Sequence, residues 1–290
     1  MGGDITGNRA LTAYSAKDLR AYCEHLESSG YSPDSIRQYF APLKTLWRWA
    51  PKSSDYYSSL AFPSVELPEC SKTVEDKRWQ AFSDAQIKEV WRLLNMAWGP
   101  DAKSRLTPAR RKAFLMACRV MLYTGMRPVE VWHMRSDWIE GDTIRIKHTK
   151  TKAARTIPLS EHIADLPNFL AEGGFEAVLA ENVGKVRKGI AQTQPTTPES
   201  MESTLRDAFR DAIKPVTHAG GVLWPKLVLY SLKDTLIRKL QELDVSDDLM
   251  RGVIGHSTGQ KSLRNYKTPF GESREGIRKM REALDAITYW

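Results

Sequence analysis

The sequence has few cysteines and no long apolar run, and these absences narrow the classes of protein to consider. Only three cysteines occur among 290 residues, at Cys23, Cys70 and Cys118, and no two of them form a Cys-x-x-Cys pair. This spacing supports neither a disulfide framework nor a zinc site. No apolar run approaches the ~20 residues that span a membrane, and the first ten residues lack the regions of a signal peptide. We therefore expect a protein of the reducing cytosol without a metal site.

Acidic residues are outnumbered, and the resulting positive charge is not spread evenly. The chain has 43 Lys and Arg against 35 Asp and Glu, which gives a net charge of +8. Residues 101–160 hold 13 Lys and Arg but 5 Asp and Glu, so this segment alone accounts for the same excess. A local concentration of basic residues predicts a polyanionic partner, of which nucleic acid is the commonest. A solvated basic face explains the charge equally well.

The order of patterns along the chain predicts two domains. Ser15 can cap a first helix, and Ser32 precedes the start of a second helix, which Pro42 is expected to kink or break. Residues 51–80 are rich in Pro and Ser and lack helical periodicity, which is typical of a linker. We predict a helical domain over residues 1–60, a linker over 61–80 and a second domain over 81–290.

The second domain is predicted to be mostly helical with one small hairpin. A helix is expected from about Pro108 to Tyr123, and Pro128 suits the first position of the next helix. Ile144 and Ile146 then alternate with charged residues, as in a strand that is buried on one face, and residues 156–159 form the returning strand. The segment between the strands is polar and rich in lysine.

Arg127 lies just before the predicted helix start at Pro128. Free backbone N–H groups and the helix dipole favour an anion at such a position, and a guanidinium fits two phosphate oxygens. A surface salt bridge between Arg127 and Glu130 is the alternative, and this segment alone favours that alternative.

Two further segments carry side chains suited to an anionic substrate. The hairpin tip can reach into a DNA groove or place an ammonium group on a phosphate, although solvated lysines that discourage edge-strand aggregation explain it as well. The C-terminal third contains isolated tyrosines and a histidine, of which ten residues separate His256 from Tyr266. The residues concerned are Lys147, Lys150, Lys152 and Arg155 of the hairpin, and Tyr230, Lys233, His256 and Tyr266 of the C-terminal third.

The order and spacing of these segments resemble the tyrosine recombinase, or phage integrase, family. The resemblance covers about residues 10–290. The matching positions are Thr124, Gly125, Arg127 and Glu130 of a Thr-Gly-x-Arg-x-x-Glu box, Lys150 of the hairpin ahead of Ile157 and Pro158, the Ile254-Gly255-His256-Ser257 counterpart of a Leu-Gly-His-Ser motif, and Tyr266 at the place of the nucleophile.

One box departs from the family pattern of His-x-x-Arg-His. This chain has Tyr230 at the first position, Lys233 in place of the second arginine, and Asp234 in place of the second histidine. Lysine keeps the charge but loses the bidentate fork of arginine. A natural variant that still cuts DNA, a natural variant that has lost cutting, and an engineered substitution all fit this box.

The resemblance implies both a fold and a chemistry. The fold is mostly α with a small β-hairpin or sheet, in which a helical core-binding domain and a mixed α+β catalytic domain form a clamp on DNA. The reaction is site-specific recombination, as in integration or excision of a mobile element, through a 3′-phosphotyrosyl link and without a cofactor. The implied roles are Tyr266 as nucleophile, Arg127 and Lys233 as stabilisers of the phosphate, Lys150 as general acid, and His256 and Tyr230 as groups that contact the phosphate or orient the tyrosine.

The resemblance also implies double-stranded DNA as a partner. Candidate DNA contacts are Arg37, Lys44 and Arg48 in the first domain and Lys147, Lys152 and Arg155 in the hairpin. A C-terminal helix with Ile277, Met280, Leu284 and Ile287 at helical spacing is expected to dock on a neighbouring protomer of a homo-tetramer on paired sites, or else to pack on its own domain. An accessory directionality factor and a place in the cytoplasm at the nucleoid are expected.

Three other functions remain as alternatives. A DNA-binding regulator of the same fold that does not cut is suggested by the altered box. A type IB-like topoisomerase shares the tyrosine chemistry. A basic helical adaptor that never touches DNA explains the charge alone.

Overall fold

The computed structural model of this chain describes residues 10–53, 57–69, 80–147, 154–187, 190–191, 193–217, 227–255, 271 and 273–289. The chain divides into two compact units, Met1–Arg78 and Trp79–Trp290.

Helices make up most of the described chain. The first unit contains α1 (Ala16–Ser28) and α2 (Pro33–Ser53). The second contains α3 (Asp84–Trp98), α4 (Pro108–Thr124), α5 (Pro128–Trp132), α6 (Leu166–Ala171), α7 (Gly174–Ala180), α8 (Pro198–Ala212), α9 (Lys214–Thr217), α10 (Ser231–Glu242), α11 (Asp247–Ile254) and α12 (Arg274–Asp285). An antiparallel sheet is formed by β1 (Ile139–Glu140), β2 (Thr143–Ile146) and β3 (Arg155–Pro158), and a two-stranded ladder by β4 (Val186–Arg187) and β5 (Ile190–Ala191). The predicted fold class, mostly α with a small sheet, is confirmed.

The first unit is built on the packing of α1 against α2. Ser15 caps α1 as predicted, because its side chain accepts from the backbone of Asp18 while the Asp18 carboxylate accepts from the Ser15 backbone over 2.8 Å. The apolar stripes of the two helices then meet in one cluster. Apolar side chains of the segment after α2 pack onto this cluster, although that segment contains no helix or strand between residues 60 and 69. The cluster consists of Leu19, Cys23, Leu26, Ile36 and Phe40, with Phe62, Val65 and Leu67 against it.

Helix α2 passes through Pro42 without a break, so of the kink or break expected from the sequence, the break is wrong. A proline inside a helix removes one hydrogen bond and crowds the preceding turn. Here α2 is anchored by buried side chains on both sides of Pro42, such as Phe40 before it and Trp47 after it. Packing of both halves therefore outweighs the local cost.

Helix α4 lies at the centre of the second unit, because ten of its 17 residues are buried and α3, α5, α7 and α10 pack around it. It ends at Gly125, whose φ of +62° allows the chain to turn directly into α5. The predicted hairpin is present as β2 and β3, with Ile144 opposite Ile157 and both buried. The fold thus brings the α4–α5 turn and the hairpin into the same core.

Candidate functional site

Arg127 and Glu130 form an ion pair at the start of α5. The peptide N–H of Arg127 donates to Oε2 of Glu130 over 3.0 Å, and Nη1 donates to Oε1 over 2.9 Å. The Glu130 side chain is 1% exposed and that of Arg127 is 27% exposed. The alternative expected from the sequence is therefore present, but its carboxylate is buried and not at the surface. A buried carboxylate needs a partner, so this pair fixes both the backbone and the side chain of Arg127.

Arg155, the first residue of β3, brings a second cation to the same carboxylate. Its Nη2 lies 3.2 Å from Oε2 of Glu130, and its side chain is 11% exposed. Burial raises the pKa of Glu130, but the attraction of Arg155 and the hydrogen bonds from Arg127 outweigh burial and hold that pKa below its ordinary value. The sequence predicted Arg155 as a DNA contact at the hairpin tip. Its guanidinium faces the interior instead.

Lys233 lies in the first turn of α10 and is also buried. Its Nζ donates to the backbone carbonyl of Ile254 over 3.1 Å. Burial, together with repulsion from Arg127 and Arg155, lowers the pKa of Lys233 to about 8. We call Arg127, Glu130, Arg155 and Lys233 the basic cluster. It places three cations around one carboxylate, so an excess of positive charge is held inside the domain.

Tyr230 precedes Lys233 by one turn, and its hydroxyl donates to Oε1 of Glu202 on α8 over 2.8 Å. Burial and the Glu202 carboxylate raise the pKa of Tyr230 to about 12, so its hydroxyl keeps its proton at neutral pH. Glu202 was not predicted from the sequence. The helical spacing of Met201, Leu205 and Phe209 identifies the buried face of α8 but carries no signal for a carboxylate beside Tyr230.

Several predicted site residues lie outside the described residues, and their roles stay predictions. These residues are Lys150, Lys152, His256 and Tyr266. Lys147 is described at the base of the hairpin, where it is exposed and its Nζ lies 2.7 Å from the carboxylate of Asp137. Its reach toward a DNA partner therefore competes with a surface ion pair.

The predicted DNA contacts of the first unit share one side of α2, and we call Arg37, Lys44 and Arg48 the α2 stripe. All three are exposed. The Nε of Arg37 donates to the backbone carbonyl of Pro68 over 2.9 Å, and the Nζ of Lys44 lies 5.8 Å from the centre of the Phe62 ring. The segment after α2 thus shares this side of the helix with the α2 stripe.

The apolar stripe of α12 packs within its own domain. Met280, Leu284 and Ile287 are buried in the core of the second unit, and the Tyr289 hydroxyl donates to the Leu122 carbonyl over 3.3 Å. This is the second of the two arrangements that the sequence left open. Within this chain α12 packs against β3 and α11, and a protomer contact through this stripe stays a prediction.

Neither a membrane-spanning helix nor a metal-binding group of side chains is found among the described residues. No helix in the ranges given above is long and apolar enough to cross a membrane. Among the same residues, no group of three or more His, Cys, Asp and Glu side chains is placed to hold a metal ion. The guanidinium and ammonium groups of the basic cluster are suited to an anion such as a phosphate.

Comparisons with known proteins agree with this architecture. The Phage integrase family model matches residues 88–269. No curated protein sequence matches the chain. The Tn1549 transposon integrase in complex with transposon right end DNA is similar over 98% of this chain and 89% of that chain, at a TM-score of 0.52 and 16% identity. A lambda integrase tetramer bound to a Holliday junction is similar over 90% of this chain and 67% of that chain, at a TM-score of 0.52 and 16% identity.

At these identities the solved structures show a shared fold, that of the tyrosine recombinases. The sequence match goes further, because it covers more than half of the chain and includes all four residues of the basic cluster. The chain belongs to the phage integrase family.

Proposed function

We propose that this chain is a site-specific recombinase that breaks and rejoins double-stranded DNA. The basic cluster carries the proposal. Arg127 and Arg155 share the Glu130 carboxylate, and the buried Lys233 ammonium donates to a backbone carbonyl, so a phosphate would supply the missing negative charge. Buried cations that exceed their partners are costly to a fold and are typical of sites built for an anionic ligand.

In the proposed reaction Tyr266 attacks a phosphorus atom of the DNA backbone. A bond forms between the phenolic oxygen and phosphorus, the bond from phosphorus to the 5′-oxygen breaks, and the DNA is left as a 3′-phosphotyrosyl ester. Arg127 and Lys233 stabilise the charge on the non-bridging oxygens. Lys150 donates the proton that the leaving 5′-oxygen needs, the proton of the Tyr266 hydroxyl passes to solvent, and His256 holds the phosphate or the tyrosine. Attack by a 5′-hydroxyl reverses the step and rejoins a strand.

We propose a more limited role for Tyr230 than the sequence suggested. Its hydroxyl proton is donated to Glu202, so contact with a phosphate oxygen requires that this hydrogen bond be exchanged. We therefore propose that Tyr230 lines the site and that Glu202 sets its orientation in the absence of DNA.

The proposed partners follow from the activity. The substrate is duplex DNA, bound through phosphate contacts of both units. Paired sites call for a homo-tetramer, and an accessory protein would set the direction of recombination. The setting is the cytoplasm, at the nucleoid. Because the α12 stripe is buried in its own domain, the tetramer would form through other surfaces or through release of α12.

A DNA-binding protein of this fold that does not cut is the second candidate. The observation that favours it is the position of Lys233, whose ammonium group is engaged by the carbonyl of Ile254 and lacks the fork of an arginine. Such a protein would bind a specific duplex and leave it intact.

One experiment separates the two candidates. The protein is first used to select bound sequences from a pool of randomised duplexes. The selected duplexes are then rebuilt with a nick a few nucleotides to the 3′ side of each candidate cleavage position. The short fragment released by cleavage then diffuses away, and the covalent complex accumulates. A recombinase gives an SDS-resistant protein–DNA adduct that is lost in Tyr266→Phe. Selective binding with no adduct in either protein supports the regulator and contradicts the recombinase.

A further inference from the structure

Arg155 lies at a junction of three segments that are distant in the sequence. It starts β3, its Nη2 lies 3.2 Å from the Glu130 carboxylate of α5, and its guanidinium abuts the turn after α11. At that turn a Cβ on Gly255 would lie 2.6 Å from Nη1 and 2.9 Å from Cζ of Arg155. The Gly255 backbone therefore runs directly against the guanidinium, and one side chain touches both α5 and α11.

The first consequence concerns charge. Glu130 accepts from the backbone and side chain of Arg127, and these bonds fix Arg127 in place. If Glu130 had no other partner, its charge would cancel that of Arg127 and weaken the attraction of the site for an anion. Arg155 shares the carboxylate, so the three groups together retain a positive charge. The carboxylate can then orient Arg127 without neutralising the site.

The second consequence concerns the turn that leads into His256. Gly255 has a φ of +72°, a conformation that L side chains rarely adopt, and it ends α11. The Arg155 guanidinium lies against Gly255 on one side. Lys233 donates to the carbonyl of Ile254, the residue just before this glycine. Two cations of the basic cluster thus hold the backbone immediately before His256.

We propose that Arg155 is a positioning residue. It shares the Glu130 carboxylate with Arg127, so that Arg127 is held in place without being neutralised, and it packs against the Gly255 turn and holds it in position. This inference rests on the proposed recombinase function. It replaces the groove contact that the sequence suggested for Arg155. It also assigns the hairpin a second role, because the strand that follows Lys150 in the sequence carries the Arg155 side chain. This side chain contacts both Glu130 of α5 and the Gly255 turn after α11.

The geometry argues against a direct role of Arg155 on DNA. Its side chain is 11% exposed, and its Nε is buried without a hydrogen-bond partner among the described residues. Its Nη2 is engaged by Glu130 and its Nη1 is packed against Gly255. A residue that acts in this way supports the reacting groups and does not contact the phosphate itself.

The test compares Arg155→Gln with Arg145→Gln under single-turnover conditions on the nicked duplex selected above. Arg145 is a matched control, because it lies on the neighbouring strand β2, opposite Thr156, and its side chain is 53% exposed. We expect Arg155→Gln to slow adduct formation about 10²-fold, the size of effect that a misplacement of about 1 Å produces, with a smaller loss of duplex affinity. Equal rates for the two variants would overturn the proposal.

Arg155→Lys is the control that distinguishes a loss of positioning from a folding defect. It keeps a buried cation for Glu130 but loses the fork that lies against Gly255. We expect it to melt near the wild-type temperature and to recover only part of the cleavage rate. Full recovery would show that charge alone matters and would remove the Gly255 contact from the proposal.

A measurement without DNA separates failure of this inference from failure of the proposed function. The charged groups around Lys233 are Arg127, Arg155, Glu130 and Asp234. Removal of the Arg155 charge in Arg155→Gln should raise the pKa of the Lys233 ammonium. This pKa is measured from the NMR signal of a Lys233 side-chain carbon as the pH is changed. An unchanged pKa contradicts the coupling of Arg155 to the cluster even if wild-type protein forms adducts. A raised pKa in a protein that forms no adduct supports the coupling while the recombinase proposal fails.

Discussion

Two sets of cations in this chain have similar charge but opposite surroundings. The α2 stripe is exposed, whereas Arg155 and Lys233 of the basic cluster are nearly inaccessible. An exposed cation keeps most of its hydration, so it contributes little to stability and attracts DNA in a way that salt screens. A buried cation depends on its partners. The basic cluster is therefore tied to the integrity of the fold, while the α2 stripe can change without disturbing it.

The largest expected effect comes from removal of the carboxylate of the basic cluster. Glu130→Ala leaves Arg155 buried without its partner, and breaking a buried pair in this way costs about 3–5 kcal/mol. Urea denaturation followed by circular dichroism measures the change in the free energy of unfolding. We expect the free energy of unfolding to fall by that amount and the Arg127 side chain to become more mobile.

An exposed ion pair provides the control for Glu130→Ala. Glu176 pairs with Arg135, and their side chains are 48% and 62% exposed. Glu176→Ala should cost less than about 1 kcal/mol. If the two variants lose the same free energy, burial does not distinguish the basic cluster from the surface, and the comparison fails.

The second effect is a dependence on pH. Lys233 has a folded pKa lowered from 10.5 to about 8 by burial and by nearby arginines. Between these values the unfolded chain binds more protons than the folded chain, so folding gains stability as the pH rises through this window. Relative to Lys233→Met, wild-type protein should gain up to about 3 kcal/mol from pH 8 to pH 10.5, since each pKa unit is worth about 1.4 kcal/mol. Parallel stability profiles of the two proteins would contradict burial of a charged Lys233.

The sequence predicts those parts of the fold that depend on local order. The capped start of α1, the span of α4 and the pairing of β2 with β3 follow from apolar periodicity and from capping residues within a few positions. The continuity of α2 through Pro42 does not, because side chains on both sides of the proline are held by tertiary packing.

The contacts of the site are predictable only in part, for the same reason. The Arg127–Glu130 pair is visible in the sequence, since the two residues are three apart on one turn. The Glu130–Arg155 and Glu202–Tyr230 contacts join residues 25 and 28 positions apart. No periodicity reports which charged side chain of one element will meet another, so Arg155 was predicted to face DNA and Glu202 was missed.

A third, smaller effect is expected at the turn that delivers Arg127 to the basic cluster. Gly125 has a φ of +62°, and a Cβ there would lie 3.1 Å from Ile254 and 3.3 Å from Leu236. Gly125→Ala should lose roughly 1–2 kcal/mol from the left-handed conformation and about 1 kcal/mol more from crowding. Gly141 has a φ of +63° with open space around it, so Gly141→Ala measures the conformational cost alone. Equal thermal shifts for the two variants would mean that the core yields at Gly125.

The smallest effect on folding is expected from the α2 stripe, where Lys44→Gln or Arg48→Gln should change the free energy of unfolding by less than about 0.5 kcal/mol. Their effect should appear on DNA instead. Each lost phosphate contact lowers the slope of log affinity against log salt by about 0.9, which fluorescence anisotropy on a duplex at several salt concentrations measures. Arg37→Gln should change the slope less, because its Nε is already engaged by the Pro68 carbonyl. If all three variants keep the wild-type slope, the α2 stripe is not a DNA contact, and exposure of a cation on this helix says nothing about binding.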